Sequence, residues 1–469
     1  MSETIAEPLA GPPLRYGAGL LARLPRGASA VRAYWIVVVF SLAVRLLALI
    51  FTRHAPFVSD AHDYVEMAGF LWQGVHFVPY WPPGLPLYLA PVAGLGGSIL
   101  AIRASMLLFW LLATWGLYRL ARALGLAGIA WLVLLVLSIM PGTIHMSIEP
   151  ATPQPVAAFL LIALGAAILA ARTNALKEYV LLGVSLACVA LTRPSALPLL
   201  ALLPLATYLC CRASPIRTRV AGPLLSIALG GALVGGWIVR SHTLGGLWII
   251  NSSNAINFYY GNDPWTPLYQ TWYFGSHSKA GTTEAENFPG FEKVIAETGK
   301  LPPLEASRQY EALALQSIRE RPGLFVFRTL NRIQCFFGFD IFTSANLRSS
   351  GGIGRRLFPI SLLMEAGLYL LVAAPAFFWL AAAGLSAWRR WETILIAGVI
   401  VVYAAPYWLS MSHPTYHYPI VAPLALLGLF AWKCADGLSS RRRGWAAVAL
   451  LAVIQVVWVW QMAGSSRLQ

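Results

Sequence analysis

Long apolar runs broken by short basic or aromatic-rich turns dominate the chain. A membrane-crossing helix needs roughly 20 mainly apolar residues. Runs approaching that length are Tyr34 to Phe51, Arg103 to Tyr118, Ala127 to Met140, Val156 to Ala171, Tyr179 to Leu191, Leu197 to Cys211, Val220 to Val239, Leu357 to Trp388, Thr393 to Leu409, Ile420 to Ala435 and Trp445 to Met462. The pattern predicts an all-α polytopic membrane protein with about 11 transmembrane helices. Leu85 to Ala101 is also apolar, but its Gly and Pro content fits a re-entrant hairpin at the outer face better than a crossing.

Basic residues orient these runs. Arg15, Arg23, Arg26 and Arg32 precede the first one, and Arg119, Arg122, Arg172, Lys177, Arg212, Arg217, Arg219, Arg389, Arg390 and Arg441 to Arg443 fall at alternate turns. The positive-inside rule puts these turns in the cytoplasm. Residues 1–33 then form a cytoplasmic tail before an uncleaved first span, since no small-residue cleavage site follows an apolar stretch. Residues 34–240 form an N-terminal transmembrane module whose first outer loop is 52–102, and residues 357–469 form the C-terminal transmembrane helices.

Between them, residues 241–356 lack a long apolar run and read as a small mixed extracytoplasmic domain. Within it, Leu304 to Arg321 has amphipathic helical spacing, with Leu313, Ala314 and Ile318 on one side, and stops at Pro322-Gly323. Leu324 to Phe339 mixes Arg328, Asn331, Arg332 and Gln334 with aromatics, as a helix lying in the interface does.

Composition agrees with a membrane protein. The chain has 469 residues, 58% hydrophobic and 11% charged, far more apolar than a soluble core of that size requires. Its formal charge of +15 comes from Arg clusters between apolar runs, so membrane orientation accounts for it and a nucleic-acid partner is not expected. The five cysteines show neither CxxC spacing nor a disulfide pattern.

The ionisable groups are distributed unevenly. All eight histidines and the acids Asp60, Asp63, Glu66, Glu149 and Asp263 fall on the outer side or at its boundary, while the spans are nearly free of charge apart from Arg45. A midplane transporter would place such groups within its spans. The working surface is therefore expected outside the membrane, at the lipid boundary.

Chemistry concentrates in Ser59-Asp60-Ala61-His62-Asp63-Tyr64-Val65-Glu66. Helical spacing of three puts the three carboxylates on one face, where repulsion can raise a pKa or a divalent cation can bind. The bland alternative is a solvated helix start. A carboxylate here can also act as general base on a hydroxyl. Asp63 and Glu149, the latter in another outer turn, are candidates to orient an acceptor or help bind a cation, Glu149 otherwise being a helix-start acid.

Arg193 and Arg240 follow spans at the outer headgroup level and suit a phosphate, since a guanidinium donates two parallel bonds. Snorkelling to headgroups is the alternative for each. Tyr64, Tyr80, Trp81, Tyr416, His417 and Tyr418 are candidates to line a substrate site, against an ordinary interfacial aromatic belt. His413 and His417 have ligand-like spacing, but Pro414 prevents a helix running through them, so no metal set is assigned.

Asp60 with Tyr64, followed by Tyr80-Trp81-Pro82-Pro83-Gly84-Leu85-Pro86-Leu87, resembles the first outer loop of GT-C glycosyltransferases that use polyprenyl-phosphate sugars, the aminoarabinose transferases and protein O-mannosyltransferases. Leu191-Thr192-Arg193-Pro194 looks like that family's basic turn, Arg240 with Gly261-Asn262-Asp263-Pro264 like the start of its outer domain, and His417-Tyr418-Pro419 like its late outer loop. That late loop carries His where an Arg-Tyr pair is common in the family.

The resemblance implies a GT-C-like fold and an inverting transfer of sugar from a polyprenyl phosphate to a lipid, glycan or protein hydroxyl. The active site would lie on the extracytoplasmic side of the cytoplasmic (inner) membrane. It implies Asp60 as the catalytic residue. Rivals are a lipid-linked-sugar translocator, a non-catalytic membrane scaffold, and a phosphotransferase or glycan ligase sharing the lipid-phosphate site with a different base.

Overall fold

A computed structural model describes residues 27–57, 60–77, 79–210, 215–265, 289–349, 352–435 and 439–463. Every regular element among them is a helix. In chain order these are α1 Ala28–Thr52, α2 Asp60–Trp72, α3 Gly84–Gly94, α4 Ile99–Ala123, α5 Ala130–Ile139, α6 Pro141–Met146, α7 Pro153–Thr173, α8 Leu176–Thr192, α9 Leu199–Cys210 and α10 Ile216–Gly245. There follow α11 Ser253–Asn262, α12 Pro289–Thr298, α13 Pro303–Glu320, α14 Pro322–Phe336, α15 Phe342–Ser349, α16 Gly352–Ala382, α17 Leu385–Trp388, α18 Trp391–Leu409, α19 Tyr418–Cys434 and α20 Arg441–Ala463.

The chain is an all-α polytopic membrane protein. Seven helices among the described residues are long and apolar enough to cross a bilayer: α1, α4, α7, most of α10, α16, α18 and α19 with its preceding turn. Three apolar stretches are shorter, at Gly84–Gly94, Ala127–Ile139 and Pro194–Cys210. Of the about 11 expected crossings, seven coincide with these long helices and those at 127–140 and 197–211 with shorter apolar ones, while those at 179–191 and 445–462 fall in α8 and α20, which are in neither group.

The stretch 85–101 is not one continuous helix: α3 has 11 residues, roughly 16 Å of rise, and ends before Gly96, whose φ of 76° turns the chain toward α4. Ser98 caps α4 by accepting a hydrogen bond from the Ala101 N–H at 3.2 Å. Spans also extend beyond their apolar cores: α1 begins at Ala28, α10 runs past residue 240 and α16 begins at Gly352.

Small residues place α7 at the centre. Seventeen of its 21 residues are buried, against seven of 25 in α1, whose other face is exposed. Gly116 of α4 lies where a Cβ would come within 3.0 Å of the Ile162 backbone of α7. Gly183 of α8 abuts Ser226 of α10, and Gly428 of α19 abuts Ala376 of α16, in both cases closer than a Cβ permits. With no hydrophobic drive between helices in lipid, such close backbone approach is what membrane helices pack by.

One end of the bundle is tied by charge. Arg119 pairs with Glu178, and Arg172 with Glu392 at 2.7 Å. The Lys433 ammonium donates to the Gly125 carbonyl at 3.0 Å.

The described part of 241–356 is helical, with no strand, where a mixed domain was expected. The amphipathic face of α13 buries Tyr310, Ala314 and Ser317 against α11 and α12, around Tyr259 and Phe291. Pro322 ends α13 and begins α14. Arg328 and Arg332 of α14 are buried in protein and not spread along an interface.

Candidate functional site

The first outer segment folds back on itself. Asp60 and Asp63 occupy the first turn of α2, where carboxylates are favoured by the helix dipole. Asp63 is fixed: its Oδ2 accepts a hydrogen bond from Trp81 Nε1 at 3.0 Å. Trp81 lies 5.8 Å from the Tyr64 ring and 4.9 Å from that of Tyr80. Asp60 and Glu66 remain exposed. Asp63 is thus engaged with the aromatic loop, while Asp60 and Glu66 lie at the protein surface.

The loop behind these aromatics meets the basic turn directly. A Cβ on Gly84 would lie 2.3 Å from Thr192 Oγ1 and 2.8 Å from the Thr192 backbone N, so only glycine fits there. This contact sets Tyr80-Trp81-Pro82-Pro83 beside Arg193. Arg193 follows α8 in extended conformation, with its guanidinium 5.0 Å from the Tyr416 ring. Its Nε is buried and has no hydrogen-bond partner.

Tyr64 joins the two halves. Its buried hydroxyl is hydrogen-bonded to Thr152 and lies within electrostatic reach of Arg193, Asp60 and Tyr416. Burial raises the phenol well above its ordinary value, while Arg193 pulls it back. Tyr80, although 42% exposed, is pushed up to about 12 by partial desolvation of its hydroxyl, with Asp60 adding to the shift. Tyr407 completes the wall: its ring is 4.7 Å from Tyr416, and its hydroxyl accepts from Ser195 Oγ at 3.0 Å. These segments thus place the Asp60 carboxylate and the Arg193 guanidinium around a shared tyrosine.

Other candidates lie elsewhere. Glu149 is ion-paired with Arg103 at 3.0 Å, and both are buried. Arg103 also donates to the carbonyls of Thr52 and Ala55. Arg240 packs 4.6 Å from the Trp237 ring and 5.7 Å from Phe77. His417 is buried, its Nδ1 2.8 Å from the Phe336 carbonyl and its ring 4.7 Å from Tyr369. The Tyr418 hydroxyl donates to Gln154. The hydrogen bonds of His417 and Tyr418 turn both residues toward the helical core, leaving Tyr416 as the member of this loop that faces Arg193.

Among the described residues no three His, Cys, Asp or Glu side chains gather as a metal set.

Sequence reading missed Thr152, Tyr407 and Arg103. Thr152 sits three residues after Glu149 in a turn already marked as outer, so it was within sight. Tyr407, inside an apolar run, gave no signal.

No family model matches this chain, and no curated protein matches it. A solved structure of the archaeal oligosaccharyltransferase AglB from Archaeoglobus fulgidus, in complex with an inhibitory peptide and a dolichol-phosphate, is similar over 93% of this chain at 12% identity and a TM-score of 0.44. The matched part is 56% of that structure's chain, so this chain spans little more than half its length.

Proposed function

We propose that the protein is an inverting membrane glycosyltransferase that moves a sugar from a polyprenyl phosphate to a hydroxyl of a lipid, glycan or protein on the extracytoplasmic side of the cytoplasmic membrane. The observation that carries this reading is the grouping of Asp60 and Arg193 around Tyr64. A sugar on a lipid phosphate already has a leaving group. The enzyme has to supply a base for the acceptor and positive charge for the departing phosphate.

Asp60, exposed to water, takes the proton of the acceptor hydroxyl. The acceptor oxygen attacks the anomeric carbon on the face opposite the phosphate, the bond between that carbon and the phosphate oxygen breaks, and its electron pair leaves with the phosphate. Inversion follows from in-line attack. Arg193, beneath Tyr416 and beside Thr192, neutralises the phosphate; Trp81 and Tyr80 offer stacking surface to the sugar. Arg240, 4.6 Å from Trp237, is a secondary contact for the lipid phosphate on its approach. Asp63 holds the aromatic loop through Trp81, and Glu149 holds Arg103. A divalent cation, if required, would rest on Asp60 and the donor phosphate.

The test uses purified protein with a radiolabelled polyprenyl-phosphate sugar and membrane acceptors. Asp60→Asn is expected to lower transfer by at least about 100-fold, the range of general-base contributions, with the thermal transition unchanged. Transfer at the native rate in that variant refutes the assignment.

A further inference from the structure

The loop carrying Tyr416 is held at three points by one segment, the C-terminal half of α14 and the residues just after it. Arg332 Nη1 donates to the Trp408 carbonyl at 3.2 Å, where the loop begins. The Phe336 carbonyl lies 2.8 Å from His417 Nδ1, where it ends. Asp340 Oδ1 accepts from Thr415 Oγ1 at 3.1 Å, between them.

The same arginine reaches the other way. Its Nη2 donates to the Gly261 carbonyl and, at 3.0 Å, to Asn262 Oδ1. Asn262 Nδ2 closes the ring by donating to the Leu409 carbonyl at 2.9 Å. The packing leaves no slack, because a Cβ on Gly261 would sit 1.5 Å from the Ser410 carbonyl oxygen. A fully buried guanidinium with its donors spread over two backbone segments holds both in a fixed register, which an ammonium cannot do.

We propose that Arg332 is a positioning residue that locks the outer region, through Gly261-Asn262, to the Tyr416 loop, and so sets the distance from Tyr416 to Arg193 at the phosphate end of the site. The inference rests on the reading of Arg193 as the donor-phosphate ligand. Arg332 touches no substrate; it acts through Tyr416. Acceptor binding, which involves Asp60 on α2, does not pass through this lock.

The test is a double-mutant cycle in the full-length protein, read as donor and acceptor KM and as binding of polyprenyl phosphate alone. Arg332→Lys is expected to raise donor KM and weaken polyprenyl-phosphate binding by about tenfold, a cost of about 1.4 kcal/mol, with acceptor KM within about twofold. Tyr416→Ala should have a similar effect, and the double variant should stay near tenfold instead of reaching the roughly hundredfold that independent sites would give.

If Arg332→Lys fails to fold, Asn262→Asp replaces it: Arg332 keeps its partner, the donation to Leu409 is lost, and a smaller rise in donor KM is expected. Additive effects, or donor and acceptor KM rising together, overturn the positioning role while leaving the proposed function in place. Wild-type protein that neither transfers from nor binds polyprenyl phosphate overturns both.

Discussion

Replacing Glu149 by Gln separates a supporting role from a chemical one. The carboxylate lies 3.0 Å from Arg103 Nη2; two unit charges at that distance attract by roughly 5–6 kcal/mol at an effective dielectric of about 20. Desolvation cancels most of this, but removing one partner strands the other charge and costs about 3–5 kcal/mol. Arg103 is 4% exposed, so water cannot replace the lost carboxylate. Its remaining bonds to the Thr52 and Ala55 carbonyls join the end of α1 to α4, so the damage falls beside the 52–57 segment that leads to Asp60.

At about 2.1 cal/mol/K of unfolding entropy per residue, a loss of 3–5 kcal/mol lowers the transition of a chain this long by roughly 3–5 °C. The assay is tryptophan fluorescence on heating in a mild non-ionic detergent, beside transfer measured well below the transition. Glu149→Gln should melt early yet retain most of its transfer when cold. The double variant Arg103→Met with Glu149→Leu should be more stable than either single variant, because it buries no unpaired charge. A Glu149→Gln protein with native melting and no transfer would refute the structural assignment and move Glu149 to the acceptor.

Two further outcomes follow from contacts described above. Gly84→Ala forces a Cβ into the Thr192 backbone and shifts the turn bearing Arg193; overpacking of this kind costs about 1–3 kcal/mol, and donor KM should rise more than acceptor KM, as steady-state kinetics would show. His145 of α6 has its pKa lowered from 6.5 by burial, although Glu149 and Asp340 oppose the shift. The unfolded chain then binds the proton more readily than the folded one, so stability is full above about pH 6.5 and falls by up to about 1.4 kcal/mol per pH unit below it. His145→Gln should flatten that fall between about pH 6.5 and 5 in melting curves, and an unchanged slope would contradict the assignment.

The fold was legible wherever a long apolar run met a basic turn, as at α4, α7 and α18. It was less so where length and burial compete. α3 looked spannable by composition, yet Pro91 and the Gly94-Leu95-Gly96-Gly97 turn cut it at 11 residues. α14 has the amphipathic period of an interfacial helix, but that period records only that one face is covered, and here protein covers it. Likewise Arg193 and Arg240 are equivalent in sequence, each an arginine after an apolar run. Only tertiary packing puts Tyr64 and Tyr416 beside one and Phe77 beside the other, whose Trp237 neighbour lies one turn back on its own helix. The Asp60 segment was readable because three acids in seven residues are rare next to a span, whereas Thr152 and Tyr407 matter only through what they touch.

The short α3 changes what surrounds the protein there. Its rise of roughly 16 Å leaves about half of a 30 Å hydrocarbon core unfilled along its axis, and a helix ending at that depth cannot leave its last carbonyls facing lipid tails. Leu95 and Gly96, just past that end, are exposed. That end is the opposite end of α3 from Gly84, whose packing against Thr192 holds only the start of the helix. Leu95, 78% exposed there, is therefore a large apolar side chain presented one helix length away from the turn that bears Arg193.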